Sequence, residues 1–139
     1  DRIKVIIKAG QPSDKLLEIS HFLALGQIEL ARNNYLKAID YFNVAVDIQD
    51  ALPYREPEFW YYPTRQSLGH ALMLNKNFEE AVKVFNKDLE NYPRNGWSFY
   101  GLHKAHQSLE NKNQSQDALN KFKEIWQFSD VELKSSVIY

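Results

Sequence analysis

Arg65-Gln-Ser-Leu-Gly-His-Ala-Leu72, carried on through Glu80-Ala-Val-Lys-Val-Phe85 and closed at Tyr92-Pro93, is the stretch on which the fold turns. It reads as two helices joined by a tight turn. The first presents Leu68, Gly69 and Leu72. The second presents Ala81, twelve residues after Gly69, and then Phe85, four residues later. Pro93 cannot continue a helix and closes the unit. Each helix carries an apolar stripe at helical spacing, and each stripe holds one small residue where two backbones can approach. A hairpin of this size cannot bury both stripes alone, so the pattern predicts neighbours stacked upon it.

The upstream chain supplies one. Leu25-Gly26 is followed after twelve residues by Ala38, then by Phe42 and Ala45, at the same Gly-to-Ala and Ala-to-Phe intervals as in the later unit. Tyr35 and Phe78 each stand three residues before the small alanine, and Leu23 and Gln66 each stand three before the glycine. Downstream, Ala118 and Phe122 repeat the small-then-aromatic interval, with Ile125 behind them. Against a period near thirty-four, Gly101 falls two residues short and Ala118 three residues late. The third turn, residues 111–116, is therefore expected to be lengthened.

Leu25-Gly26 with Ala38 and Phe42, Leu68-Gly69 with Ala81, Phe85 and Pro93, and a degenerate Ala118 with Phe122 resemble the tetratricopeptide repeat family. The resemblance runs over roughly residues 14 to 128. It implies an all-α fold, an α-solenoid of stacked antiparallel helix hairpins with about three such repeats plus terminal helices. Within a single domain over 1–139, it implies an N-terminal helix or remnant of an earlier repeat at 1–10 and repeat one at 14–50. An insert rich in aromatics and proline at 51–61 precedes repeat two at 62–94, repeat three at 96–128 and a C-terminal cap at 129–139. Two positions depart from the pattern: Glu29 stands where the family often has Tyr, and Asp88 stands where the first unit has Ala45.

Composition bounds the remainder. A chain of 139 residues is long enough for one core and would bury roughly two thirds of its unfolded surface. Its 17 basic and 18 acidic residues are mixed along the chain and leave a net charge of −1, which offers nucleic acid no basic field. No apolar run of about 18 residues exists, so no helical membrane insertion is expected. The lack of cysteine excludes disulfides and thiolate metal ligands. Because the sequence starts at Asp1 with no Met and no signal-like segment, it is expected to be a piece of something longer, with the cytoplasm favoured. Three Trp, eight Tyr and eight Phe are many for this size, and most should lie in the core.

In chain order, Ile3, Ile6 and Ile7 fall on one helical face, although Ile3-Lys-Val-Ile-Ile7 is β-branched enough for a strand; the helix is preferred. Ser13 or Asp14 can cap the helix that runs to Ala31 or Arg32, and Asn33-Asn34 turns the chain into a helix from Tyr35 to about Gln49. Gly26 to Gly69 is forty-three residues, nine above the period. The surplus is Ala51-Leu-Pro-Tyr-Arg-Glu-Pro-Glu-Phe-Trp-Tyr-Tyr-Pro63, in which three prolines interrupt helix formation around five aromatics. This block, together with Arg65–Gly69 and Asn95-Gly96-Trp97, resembles a recurring C-terminal region of bacterial tetratricopeptide proteins of unassigned activity. Asn75-Lys-Asn77 forms the second turn, and the last helix is expected from about Gln116 to Phe128. Ser129-Asp130 could cap a final short helix, with Val131 and Leu133 covering the end face and Val137-Ile138-Tyr139 adding to that cover.

In the family the leading helices line a concave docking groove. By register that line holds Leu23, Gln27 and Leu30, then Pro63, Gln66, His70 and Met73, then Trp97, Tyr100, Lys104 and Gln107. The resemblance therefore points to Trp60, Tyr62, Arg65, Gln66, His70, Trp97, Tyr100 and Lys104 as a partner-binding patch, aromatics giving area and Arg65 a fork for a carboxylate. Trp60 and Trp97 could equally be wedges between repeats. The carboxylate clamp by which some members hold chaperone termini needs a basic and amide set that Leu23, Gln27, Gln66 and His70 do not provide, so chaperone binding is not implied. His103 and His106 are close enough to share a metal, but no carboxylate stands near them before Glu110, and no metal site or cofactor is expected. No Gly-rich phosphate loop, nucleophile motif or carboxylate pair points to catalysis, so an enzyme is not expected. The favoured reading is a scaffold for protein–protein interaction that holds a peptide or partner segment, with self-association left open. The alternative is a small-ligand or regulatory domain with a pocket under the aromatic insert.

Overall fold

The computed structural model describes residues 12–137 of the 139. The expected helix at 1–10, and Ile138 and Tyr139 of the expected cap, lie outside the described residues. Among the described residues there are six α-helices and no strand. They are α1 (Ser13–Ala31), α2 (Tyr35–Asp50), α3 (Thr64–Leu74), α4 (Phe78–Asn91), α5 (Gly96–Ser108) and α6 (Lys112–Trp126). Consecutive helices pair as hairpins, and the chain divides into two compact units, residues 1–64 and 65–139. None of the described helices is long and apolar enough to cross a membrane.

In the first unit α1 and α2 close on Ile19, Ala38, Phe42 and Ala45, all fully buried. Burying Phe42 contributes about 2–3 kcal/mol, and Gly26 makes room for it. A methyl group at Gly26 would run into the Phe42 ring. The insert that follows is irregular, and Gln49 is one of the side chains that hold it. Gln49 of α2 donates from Nε2 to the carbonyl oxygens of Trp60 (3.5 Å) and Tyr62 (3.3 Å). Its Oε1 accepts from the Thr64 backbone N–H (2.9 Å) and hydroxyl (2.6 Å). This amide thus ties the end of the insert to the first residue of α3.

The second unit stacks α3, α4, α5 and α6, the packing of a helical solenoid. Its centre is Phe85 of α4, fully buried between two glycines: a Cβ at Gly69 of α3 or at Gly101 of α5 would collide with the outer end of its ring, both meeting Cζ and Cε1. Gly26 and Gly69 accordingly have equivalent surroundings, each facing the phenylalanine of the following helix.

The three hairpin turns are built alike. Asn33, Lys76 and Glu110 adopt positive φ of 61°, 61° and 59°. The next residue, Asn34, Asn77 or Asn111, sends its N–H back to Glu29, Leu72 or His106, while the positive-φ residue bonds Leu30, Met73 or Gln107. This is the Schellman arrangement, which satisfies the last carbonyls of a helix. Each Asn carbonyl then accepts from the N–H four residues on, at Ala38, Ala81 and Ser115.

That equivalence corrects the register expected for the third unit. Three residues separate the helices in every hairpin, so the third turn is not lengthened, and α6 starts at Lys112 and ends at Trp126. Ser115, not Ala118, takes the place of Ala38 and Ala81, and His103 stands thirty-four residues after Gly69. Gly101 serves a different purpose, receiving Phe85 from the preceding helix. The cap of α1 also differs: the helix begins after Pro12, and no side-chain cap bond forms. No helix forms over residues 127–137, and Val131 is 57% exposed rather than covering an end face.

Candidate functional site

Asn95 sets the start of α5 by accepting from the Trp97 backbone N–H at 3.1 Å, an N-cap that aims the first turn. Trp97, Tyr100 and Lys104 follow at spacings of three and four and so lie along one side of the helix. Gly96 lets the Trp126 ring approach the backbone; a Cβ there would lie 2.6 Å from it. Trp97 meets Trp126 edge to face at 4.8 Å, Tyr100 meets Phe122 at 5.3 Å, and Phe122 stacks on Trp126 at 5.5 Å. Lys104 Nζ lies 5.8 Å from the Tyr100 ring centre and 3.4 Å from Gln107 Oε1. Lys104 is exposed, while Trp97 and Tyr100 are half-buried. Burial, helped by the charge of Glu132, raises the Tyr100 pKa. The Trp126 indole donates to the Val131 carbonyl at 2.6 Å, whereas the Trp97 indole N–H is buried without an acceptor among the described residues.

The α3 members of the expected patch are placed differently. Arg65, Gln66 and His70 are buried, at 9%, 4% and 7% exposed. Gln66 Nε2 donates to Asn95 Oδ1 at 2.9 Å. Asn95 Nδ2 donates in turn to Asp88 Oδ2 at 2.7 Å, and the Ser98 hydroxyl donates to the same oxygen at 2.6 Å. The result is a buried polar chain from α3 through the α4–α5 connection to α5. Asp88 is its hub, with Oδ1 buried and lacking a hydrogen bond among the described residues. Burial pushes the Asp88 carboxyl up, opposed by the Ser98 and Asn95 bonds and by the charge of Arg65. Burial lowers the His70 pKa to about 4. The sequence marked Asp88 only as a departure from Ala45, because its partners come from neighbouring helices.

In the first unit Trp60 and Tyr62 are half-buried and their carbonyls are held by Gln49. The Trp60 indole N–H is buried without an acceptor among the described residues. Around them the insert displays Tyr54 and Tyr61, while Arg55 lies 4.9 Å over the Phe59 ring and the Tyr54 hydroxyl donates to Glu56. Glu29, the other departure, is buried and latched by Asn34 Nδ2 at 2.7 Å and Arg32 Nη1 at 2.9 Å, and the Asn34 bond chiefly lowers its pKa.

The two histidines of α5 serve its hairpin. His103 Nδ1 is 2.9 Å from the Ser115 hydroxyl and 3.1 Å from its carbonyl, and His106 Nδ1 is 3.5 Å from Asn111 Nδ2. No group of three or more His, Asp or Glu among the described residues could hold a metal ion.

Helix pairs with identical turns, two of them closed on a glycine–phenylalanine contact, define a helical-repeat protein. Residues 62–95 match the family model of the tetratricopeptide repeat, whose members generally mediate protein–protein interaction and are generally non-catalytic scaffolds. No curated protein and no solved structure matches the chain.

Proposed function

We propose that the chain is a protein-interaction scaffold that holds an extended peptide or partner segment on the leading helices of its hairpins, with Trp97, Tyr100 and Lys104 as the principal contacts. The observation that supports this reading is the α5 surface: two half-buried aromatic rings and an exposed cation on one side of a helix whose other sides are spent on packing. Aromatic rings give contact area at low entropy loss, and an exposed ammonium selects acidic partners. Arg65, Gln66 and His70 act in this reading as positioning residues, since Gln66 ties α3 to Asn95, the residue that starts α5. Trp60 and Tyr62 are proposed contacts of the first unit.

The test is a selection of displayed peptides on the full chain, followed by affinity measurements on two variants. Lys104→Glu should weaken the selected peptides about tenfold while leaving the melting temperature unchanged, because Lys104 is exposed. Tyr100→Ala should weaken them at least as much. Peptides that bind both variants as well as the wild type would remove α5 as the binding surface.

A further inference from the structure

We propose that Asn95-Gly96 is a deamidation site held silent by the fold, and that its conversion to aspartate or isoaspartate breaks the buried polar chain of the second unit irreversibly. The inference stands apart from the interaction reading above. Asn95 is the one asparagine of this chain followed by glycine. Glycine has no β-carbon, so its backbone nitrogen can reach the preceding side chain without steric hindrance. Packing fixes both residues. A Cβ at Gly96 would lie 2.6 Å from the Trp126 ring. Asn95 uses its whole amide: Oδ1 accepts from Gln66 Nε2 at 2.9 Å and from the Trp97 backbone N–H at 3.1 Å, and Nδ2 donates to Asp88 Oδ2 at 2.7 Å. The labile dipeptide thus sits where neither residue can be exchanged freely.

The reaction exchanges ammonia for water. The Gly96 backbone nitrogen, its proton lost to solvent, attacks Asn95 Cγ and closes a succinimide ring. The bond from Cγ to Nδ2 breaks, and ammonia leaves with a proton taken back from solvent. Water then opens either imide carbonyl, giving aspartate or isoaspartate with nothing oxidised or reduced. In the folded chain Asn95 is buried and extended, with φ −75° and ψ 99°, and ring closure would take its side chain off all three partners. When the segment opens, those restraints go. The product cannot restore them. An aspartate keeps the acceptor that starts α5, since Asp and Asn cap equally well, but it sets an acidic oxygen where Nδ2 met Asp88 Oδ2. Two buried carboxylates in contact cannot both stay ionised without a large penalty. The charge of Arg65 acts on Asp88, and a second carboxylate would have to share it.

The experiment holds the full chain in mildly alkaline buffer with and without urea, and follows conversion by peptide mass mapping and isoaspartate detection. In urea Asn95 should convert ahead of every other asparagine. Without urea its conversion should be at least about a hundredfold slower, and should rise with urea in step with the unfolded fraction. Conversion as fast in the folded chain as in urea, or no preference for Asn95 in urea, overturns the site. The consequence is read on variants. Asn95→Asp should lower the urea midpoint, and adding Asp88→Asn, which returns a donor opposite the new carboxylate, should recover most of the loss. If Asn95 mattered only for its shape, the two losses would instead add. An Asn95→Asp chain as stable as the wild type, or a loss unmoved by Asp88→Asn, overturns the proposed break. Should Asn95→Asp alone fail to fold, the doubly substituted chain decides: its folding supports the proposal and its failure overturns it.

Discussion

At Gly69 and Gly101 the space for a side chain is already filled by one ring. Phe85 is fully buried, and a β-carbon at either glycine would overlap its ring from a different helix. The ring has nowhere to retreat, so Gly69→Ala should destabilise the chain by about 1–3 kcal/mol in urea unfolding, despite the better helix propensity of alanine. Gly101→Ala should do the same, and the pair should be non-additive because both displace one ring. Asp88 is a second point of concentrated effect. Asp88→Ala removes the acceptor of two buried donors, Asn95 Nδ2 and the Ser98 hydroxyl, and should destabilise by about 2–5 kcal/mol. The glycines were legible in the sequence because Leu-Gly and Ala-x-x-x-Phe recur at fixed spacing. The polar hub was not, because a hydrogen-bond chain between helices leaves no period in the sequence.

The turns show where reading by spacing succeeds and where it misleads. Asn33-Asn34 and Asn75-Lys-Asn77 mark their hairpins as Asn-rich turns, although in the structure Asn33 alone of these asparagines takes positive φ and Asn34 and Asn77 start the next helix through their backbone carbonyls, without a side-chain cap bond. In the third hairpin Gly101 and Ala118 stand close to the repeat positions without occupying them, and they drew the register two to three residues away. The backbone assigns those positions to His103 and Ser115, a hydrogen-bonded pair where the earlier units have a glycine and an alanine. A polar pair substituting for a small apolar one cannot be found by looking for small residues. The same geometry yields a comparison between turns. Lys76 and Asn33 share φ of 61°, but only Asn adopts it readily. Lys76→Gly should therefore raise stability by up to about 1 kcal/mol, whereas Asn33→Gly should change it little. Thermal unfolding of the two variants beside the wild type checks the difference. Of the residues named by register, Trp97 and Tyr100 of α5 are half-buried and Lys104 is exposed, while Arg65, Gln66 and His70 of α3 are buried, a distinction that register alone does not carry.

In the second unit, acid stability draws on groups that pull in opposite directions: His70, with His106 of the same sign, against Asp88. Burial lowers the His70 pKa from 6.5 to about 4, so between those values the unfolded chain takes up a proton that the folded chain refuses. Stability from this group is present above pH 6.5 and is lost as pH falls toward 4, a loss of about 3 kcal/mol when complete. Asp88 has the contrary sign. Its raised pKa makes the folded chain hold a proton above 3.8 that the unfolded chain has released, so its contribution favours folding in acid and fades as pH rises. The wild type should therefore lose less stability between pH 6.5 and 4 than His70 and His106 together dictate, and removing His70 or Asp88 should expose the opposing side. His70→Gln should flatten the acid slope, while a chain with Asp88→Asn should lose stability more steeply than the wild type. Because the chain forms two compact units, the readout must come from the second, and Trp97 and Trp126 fluorescence in a Trp60→Phe background supplies it. A His70→Gln chain with the same acid slope as its parent would mean that the imidazole is protonated in the folded state and that the interior around it admits charge.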